Sequence, residues 1–216
     1  MQALEPALRR GLDELGLSLR QVQITQLLDY LALIQKWGRV YNLTALREPE
    51  QMLTHHLLDS LAAVLPLRRQ LAGRVETRLL DVGSGAGLPG VVIAICCPDL
   101  RVDCVDAVLK KASFIQHVAL SLGLGHVRGL HARVEHLEAS YPVVVSRAFA
   151  SLQDYVAGSA CALLPGGIWM AMKGKHPHDE IAALPAAIEV FHVEPLRVPH
   201  LDAQRCLVWM RRRHGA

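Results

Sequence analysis

Residues 79 to 90 read Leu79-Leu80-Asp81-Val82-Gly83-Ser84-Gly85-Ala86-Gly87-Leu88-Pro89-Gly90, and their types could bind a ligand. The alternating glycines tolerate positive φ and allow close approach to the backbone. The apolar run ending in Asp81 predicts a buried parallel strand. Pro89, followed by the apolar segment Val91 to Cys97, predicts that a helix starts directly after the glycines. A strand, a glycine turn and a helix make the nucleotide-binding corner of a doubly wound α/β sheet.

Two cofactor classes compete for this corner. Gly85, Gly87 and Gly90 satisfy the dinucleotide pattern G-x-G-x-x-G, while Asp81 with Gly83, Gly85 and Gly87 reads D-x-G-x-G-x-G. A dinucleotide would set its pyrophosphate on the helix N-terminus, beside the like charge of Asp81 in a poorly solvated turn. S-adenosylmethionine carries no phosphate but an ammonium and a sulfonium, so an acid at the strand end suits it. The chemistry favours S-adenosylmethionine.

Other candidates follow at the ends of later strands. Asp106 closes an apolar strand, Val102 to Val105, nineteen residues after Gly87, the usual interval for an acid that receives ribose hydroxyls. After the third strand, Gly125 to Leu130, Val134 could pack on an adenine and Glu135 could receive its exocyclic amine; a short charged amphipathic helix there reads equally well. The fourth strand, Pro142 to Val145, delivers Arg147 to the carboxyl edge of the sheet. A guanidinium there must be paired or hydrated, and could hold a cofactor carboxylate or a substrate phosphate, with a structural salt bridge as the alternative. Lys173 and Lys175 fall at the same edge and could meet phosphates. His55, His56 and Asp59, on the third helix, could reach toward the ligand site, but a solvated or capping helix face is the expected reading.

Around these residues the chain divides into residues 1–72, a helical cap, and 73–216, a Rossmann-like domain. In the cap, leucines at 4, 8, 12 and 15 give one amphipathic helix. A second begins at a Ser18/Gln21 capping box, and a third runs from Pro49 to Pro66. Arg68 to Arg78, including Arg74, reads as a polar connection. Alternating strands and helices then predict a mostly parallel sheet. The short link Pro199-His200-Leu201-Asp202 between the last two strands predicts an antiparallel C-terminal hairpin, which a plain dinucleotide fold would not need.

The 216 residues carry a net charge of +3 and an apparent pI near 8.7, which permits a nucleic-acid partner without demanding one. No apolar run approaches the ~18 residues of a membrane span, and the N-terminus resembles no targeting peptide. The protein is expected in the cytoplasm, away from membranes. Five cysteines lie in apolar segments without a C-x-x-C pair and read as reduced core thiols. Eleven scattered histidines show no metal-ligand spacing, so no metal is expected. The Asn42-Leu43-Thr44 sequon carries no meaning in a cytosolic chain, and the tail Arg211 to His214 reads as a solubilising end.

For an S-adenosylmethionine enzyme, missing motifs narrow the acceptor. The place after the fourth strand reads Ser146-Arg147-Ala148, without the Asp or Asn and paired prolines used on exocyclic amines. Carbon-5 methylation needs a loop cysteine, and none is apparent. A ring nitrogen with a free lone pair, such as guanine N7, needs neither base nor covalent step. Proximity and orientation can then supply about 7 to 11 kcal/mol.

Taken together, Lys36-Trp37, Tyr41-Asn42-Leu43-Thr44, His56-Leu57-Leu58-Asp59-Ser60, the glycine loop, Ser146-Arg147-Ala148-Phe149-Ala150 and Lys173-Gly174 resemble the RsmG (GidB) family over nearly the whole chain. The family consists of bacterial 16S rRNA guanine-N7 methyltransferases. The resemblance implies a class I methyltransferase fold and methylation of one guanine in the 530 loop (helix 18). It also implies cofactor contacts at Gly83, Leu88, Val134, Glu135 and Arg147, beside Asp81, Gly85, Gly87 and Asp106 from the loop chemistry. Arg133, Lys173, Lys175 and Arg205 are candidates to grip RNA by placement. The expected partner is 16S rRNA or the small subunit, and the chain is expected to be a monomer. Two alternatives stay open: an NAD-binding oxidoreductase, and a non-catalytic S-adenosylmethionine-binding module whose cap recruits a partner.

Overall fold

The computed structural model describes residues 1–41, 43–73 and 77–213, with backbone alone at 39–41. Asn42, Arg74 and His214 lie outside the described residues. Helix α1 (Glu5–Glu14) buries Leu8 and Leu12, and α2 (Gln21–Tyr41) buries Ile24, Leu27, Leu28, Tyr30, Leu31 and Ile34. The cap of α2 is not the Ser18/Gln21 box. The side chain that reaches back is Gln23, whose Oε1 accepts the Arg20 amide at 3.0 Å while its Nε2 donates to Ile95 O at 2.7 Å. Burial of Gln23 against the following domain decides the start of the helix, which a local motif cannot register.

The expected third helix is broken. It consists of α3 (Pro49–Met52), a π-helical stretch Leu53–Leu58, α4 (Asp59–Leu61) and α5 (Val64–Gln70). Pro66 does not end it, because it stands in the first turn of α5, where a missing N–H leaves no partner unpaired. The polar connection therefore begins later than expected; Leu67 and Leu71 are buried.

From there strands and helices alternate: β1 (Arg78–Val82), α6 (Gly90–Cys96), β2 (Arg101–Asp106), α7 (Leu109–Ser121), β3 (Val127–His131), β4 (Tyr141–Arg147), α8 (Leu152–Ser159), β5 (Leu163–Lys173), α9 (His178–Ala182), β6 (Ile188–Leu196) and β7 (Arg205–Arg212). The sheet order is β3-β2-β1-β4-β5-β7-β6, with β7 antiparallel to both its neighbours. β3 starts after Gly125, because Val127 N still closes a turn onto Leu124 O at 3.0 Å. β5 begins before the Pro165-Gly166-Gly167 turn and absorbs it, with Gly166 at φ 72° and a register shift against β4.

Leu79, Val143, Val145, Met170 and Trp209 pack on one side with α6, α7 and the N-terminal helices; Leu80, Val82, Val144, Trp169 and Val208 pack on the other with α8. The core is therefore continuous from α1 to the sheet. Not all cysteines are core thiols: Cys97, Cys104 and Cys206 are buried, Cys96 is half-buried and Cys161 is exposed. Cys161 stands in a 3-10 turn, Ala160–Ala162, after α8, and its sequence neighbours alone made it look buried. Among the described residues no helix is long and apolar enough to cross a membrane.

Candidate active site

The glycine loop is held from four directions. Gly83, Gly85 and Gly87 adopt φ of 64°, 59° and 91°, where an L side chain would be strained. Val105 O accepts Gly83 N at 2.9 Å, tying the loop to β2. Asp106 pins it further: its Oδ2 accepts Gly85 N at 3.0 Å and its Oδ1 accepts Val108 N at 2.9 Å, with Lys111 Nζ 3.5 Å away. From the cap, the buried Tyr30 hydroxyl donates to Ala86 O at 2.6 Å.

Asp81 supports the loop from beneath. It is fully buried, and its Oδ2 accepts the amide of Gly90 at 2.8 Å, so it caps α6. A Cβ at Gly90 would stand 2.7 Å from both Asp81 Oδ2 and Cys104 Sγ, which is why that position is glycine. Burial pushes the Asp81 carboxyl up to about 7, against the opposing pull of the Gly90 amide and Arg147. Asp81 lines none of the cavities above the loop. Its carboxylate fills the helix N-terminus where a pyrophosphate would sit.

Above the loop, Val82, Gly83, Asp106, Arg133, Val134, Glu135 and Phe149 surround a cavity of about 170 Å³. Val134 is buried and begins a 3-10 turn, Val134–His136, that brings Glu135 to the rim. Across Gly83 lies a second cavity of about 170 Å³, lined by Thr44, His56, Gly85, Ala86, Leu88 and Arg147 among others. Nothing lies within 4 Å of where a Cβ of Gly85 would be, so the loop faces open space. Apolar Val134 and Phe149 for a ring, with the acids Asp106 and Glu135 at the edge, fit an adenosyl group.

Arg147 forms the wall between this trough and a third cavity, of about 410 Å³, lined by His55, His56, Asp59, Ala148, Met172, Lys173, Gly174 and Arg205. Ala148, at φ 62°, turns the chain sharply after β4. Arg147 Nη1 donates to His55 O at 2.8 Å and to Asp59 Oδ2 at 2.9 Å, and Arg205 Nε donates to Asp59 Oδ1 at 2.8 Å. The expectation that His56 and Asp59 sit on a solvated face is thereby corrected: they are 8% and 4% exposed. Their partners lie on β4 and β7, far along the chain, where a helix pattern cannot register them. His56 Nε2 meets Thr44 Oγ1 at 2.9 Å; burial, then Arg147, lowers its pKa to about 4, so the imidazole is neutral at pH 7.

The structure thus brings Gly83, Asp106, Val134 and Glu135 to one cavity and Gly85, Leu88 and Arg147 to the one across Gly83, the two together forming the trough over the loop, with Arg133 exposed on its rim. Gly87 lies under it, where a Cβ would come within 2.6 Å of Val91 Cγ2. Lys173 and Arg205 line the third cavity, but Lys173 Nζ is paired with Glu180 at 2.8 Å. Lys175 is exposed just beyond it. Sequence reading missed Tyr30 as a brace and Asp59 as a clamp. The signals for Asp59 were its place beside His55 and His56 on one helix, where a solvated face was preferred, and the motif His56 to Ser60. Among the described residues no group of three or more His, Cys, Asp or Glu is placed to hold a metal ion.

This sheet order around a glycine loop is the fold of class I S-adenosylmethionine-dependent methyltransferases. TrmN from Thermus thermophilus superposes with a TM-score of 0.56 at 19% identity, over 74% of this chain and 53% of that one. The N-methyltransferase NodS from Bradyrhizobium japonicum gives 0.54 at 14% identity, over 72% and 96%. Within this class the chain belongs to the GidB family, described as rRNA small subunit methyltransferase G, whose family model matches residues 23–208. Relatives of that name from Acidovorax ebreus and Albidiferax ferrireducens are each 63% identical, covering 97% and 98% of this chain and 96% and 98% of their own length.

Proposed function

We propose that this protein transfers a methyl group from S-adenosylmethionine to rRNA of the small subunit, at N7 of one guanine in the 530 loop of 16S rRNA. The observation that carries the reading is the shared wall at Arg147 and Ala148. It joins a trough that fits an adenosyl cofactor to a base-sized, positively charged cavity, in a chain of the rRNA small subunit methyltransferase G family. The N7 position and the loop come from the motif resemblance.

In this reading Gly83, Gly85, Leu88, Asp106, Val134 and Glu135 hold the cofactor, and Asp81 and Gly87 act beneath by fixing the loop. When bound, the cofactor supplies an electrophilic methyl on a sulfonium. Arg147 orients groups at the boundary between the two spaces. A guanine N7 has a lone pair and no proton to lose, so no general base is needed. Two groups around the third cavity agree: His56, its pKa lowered to about 4, is a weak base, and both oxygens of Asp59 are engaged. What the chain supplies is orientation and exclusion of water. Arg133, Lys173 and Lys175 are RNA-facing candidates by the same placement.

Residues 1–72 are proposed as a cap that braces this site through Tyr30 and Asp59. We assign the chain as a cytoplasmic monomer that needs no metal. The test is incubation with methyl-labelled S-adenosylmethionine and small-subunit particles lacking the modification, with tRNA and ribosomal protein as controls. Label in small-subunit rRNA alone is expected. Label in another fraction, or cofactor binding without transfer, would displace the reading toward another acceptor or a non-catalytic module. Stabilisation by NADH alone would favour an oxidoreductase.

A further inference from the structure

We propose that Arg147 and Arg205 form a seat for one phosphodiester of the RNA strand beside the acceptor nucleotide, and that Asp59 is the positioning residue that fixes both guanidiniums. This rests on the reading of the chain as an rRNA methyltransferase. A nearly buried carboxylate spends one oxygen on each arginine, and the arginines come from the end of β4 and the start of β7. Their remaining bonds go to backbone: Arg147 Nη1 to His55 O at 2.8 Å and Arg205 Nη1 to Gln204 O at 2.9 Å. Neither Nη2 has a partner among the described residues. Two cations on one carboxylate leave a surplus positive charge, and the neighbours do not cancel it: Lys173 is matched by Glu180. A pre-oriented guanidinium fork is the side chain best matched to a phosphate.

Position separates an RNA phosphate from the other anion at hand, the carboxylate of the cofactor. Arg147 borders the cofactor trough, but Arg205 does not. Arg205 and Gly174 instead divide the acceptor cavity from a further one of about 410 Å³, walled by Val193, Pro195, Leu196 and Cys206. A phosphodiester joins two nucleosides, so a cationic seat between two base-sized spaces fits a strand passing from one to the other. Phosphate contacts of this kind fix register and orientation and do not read sequence.

The test uses the full chain with Arg205→Gln, Arg205→Lys and Asp59→Asn, measuring affinity for unmodified small-subunit particles across a salt series, cofactor affinity, and KM against kcat. Arg205→Gln is expected to raise KM for particles about tenfold and to lower the slope of log affinity against log salt by about 0.7 to 0.9, one phosphate contact, with cofactor affinity within twofold. Arg205→Lys restores the slope but only part of KM, since a point charge replaces a fork. Asp59→Asn is the sharper case. Loss of a negative charge would by itself tighten RNA binding, whereas a positioning role predicts weaker binding. An unchanged slope in Arg205→Gln overturns the seat, loss of cofactor affinity in that variant reassigns it to the cofactor, and tighter particle binding by Asp59→Asn overturns the positioning role. If Asp59→Asn does not fold, the two Arg205 variants decide. A wild-type protein that labels no RNA removes the functional reading instead, which the variants do not affect.

Discussion

At Asp81 the physics of one side chain sets a pH dependence. Its carboxyl, raised by burial from 3.8 to about 7, is protonated in the folded chain at pH values where the unfolded chain has lost the proton. Below about pH 4 both states hold the proton and there is no effect; as pH rises toward 7 the native state is increasingly disfavoured. Asp81→Asn should therefore gain stability relative to the wild type between pH 4 and 8, measured as the difference in melting temperature across that range; a constant difference would refute the shift. Gly90 makes the complementary case. With its absent Cβ 2.7 Å from Asp81 Oδ2 and Cys104 Sγ, Gly90→Ala should destabilise by about 1 to 3 kcal/mol in denaturant unfolding. The loop and its acid were legible in the letters. That the acid turns under the helix rather than into the cavity was not, because strand alternation says which residues share a face but not which face holds the ligand.

Among the elements, α2 matters most to the site although it lies before the sheet begins. Tyr30 comes from its buried stripe and donates to Ala86 O, so a helix read only as apolar also braces the glycine loop. Tyr30→Phe leaves that carbonyl without its donor and should cost about 1 to 3 kcal/mol, with cofactor affinity falling several-fold in calorimetry. Full affinity in the variant would show that the loop holds itself. The break between α3 and α5 has the same lesson in reverse. Leucine spacing reported a helix there correctly, but not the π-helical stretch that ends at Leu58, just before Asp59. Such stretches recur at functional sites, and this one leads into the carboxylate that clamps two arginines. The stripe is a local signal; Arg147 and Arg205 are distant ones.

For the molecule as a whole, the N-terminal helices and one face of the sheet share a single apolar core that runs from Leu4 to Trp209. Residues 1–72 are therefore expected to unfold with the rest in one transition, and 73–216 alone to be poorly soluble, because its Val91, Val92 and Ile95 face would lose its cover. Two separated calorimetric transitions would contradict this. The mostly parallel sheet and its antiparallel C-terminal hairpin followed from strand alternation and turn length, since those obey local rules, whereas the strand order itself was not read from the letters. The shared core did not follow, because a polar connection suggests a boundary whether or not the two sides bury surface together.

The central claim is transfer to a single guanine N7, and the most direct measurement maps the label. Small-subunit particles lacking the modification, methylated by the pure protein, would be treated to cleave the chain at 7-methylguanine and read by primer extension. One new stop in the 530 loop, absent with Arg147→Ala, is the result expected. Methyl label in the RNA with no cleavage at any guanine would contradict the N7 assignment and leave transfer to rRNA standing with a different acceptor atom.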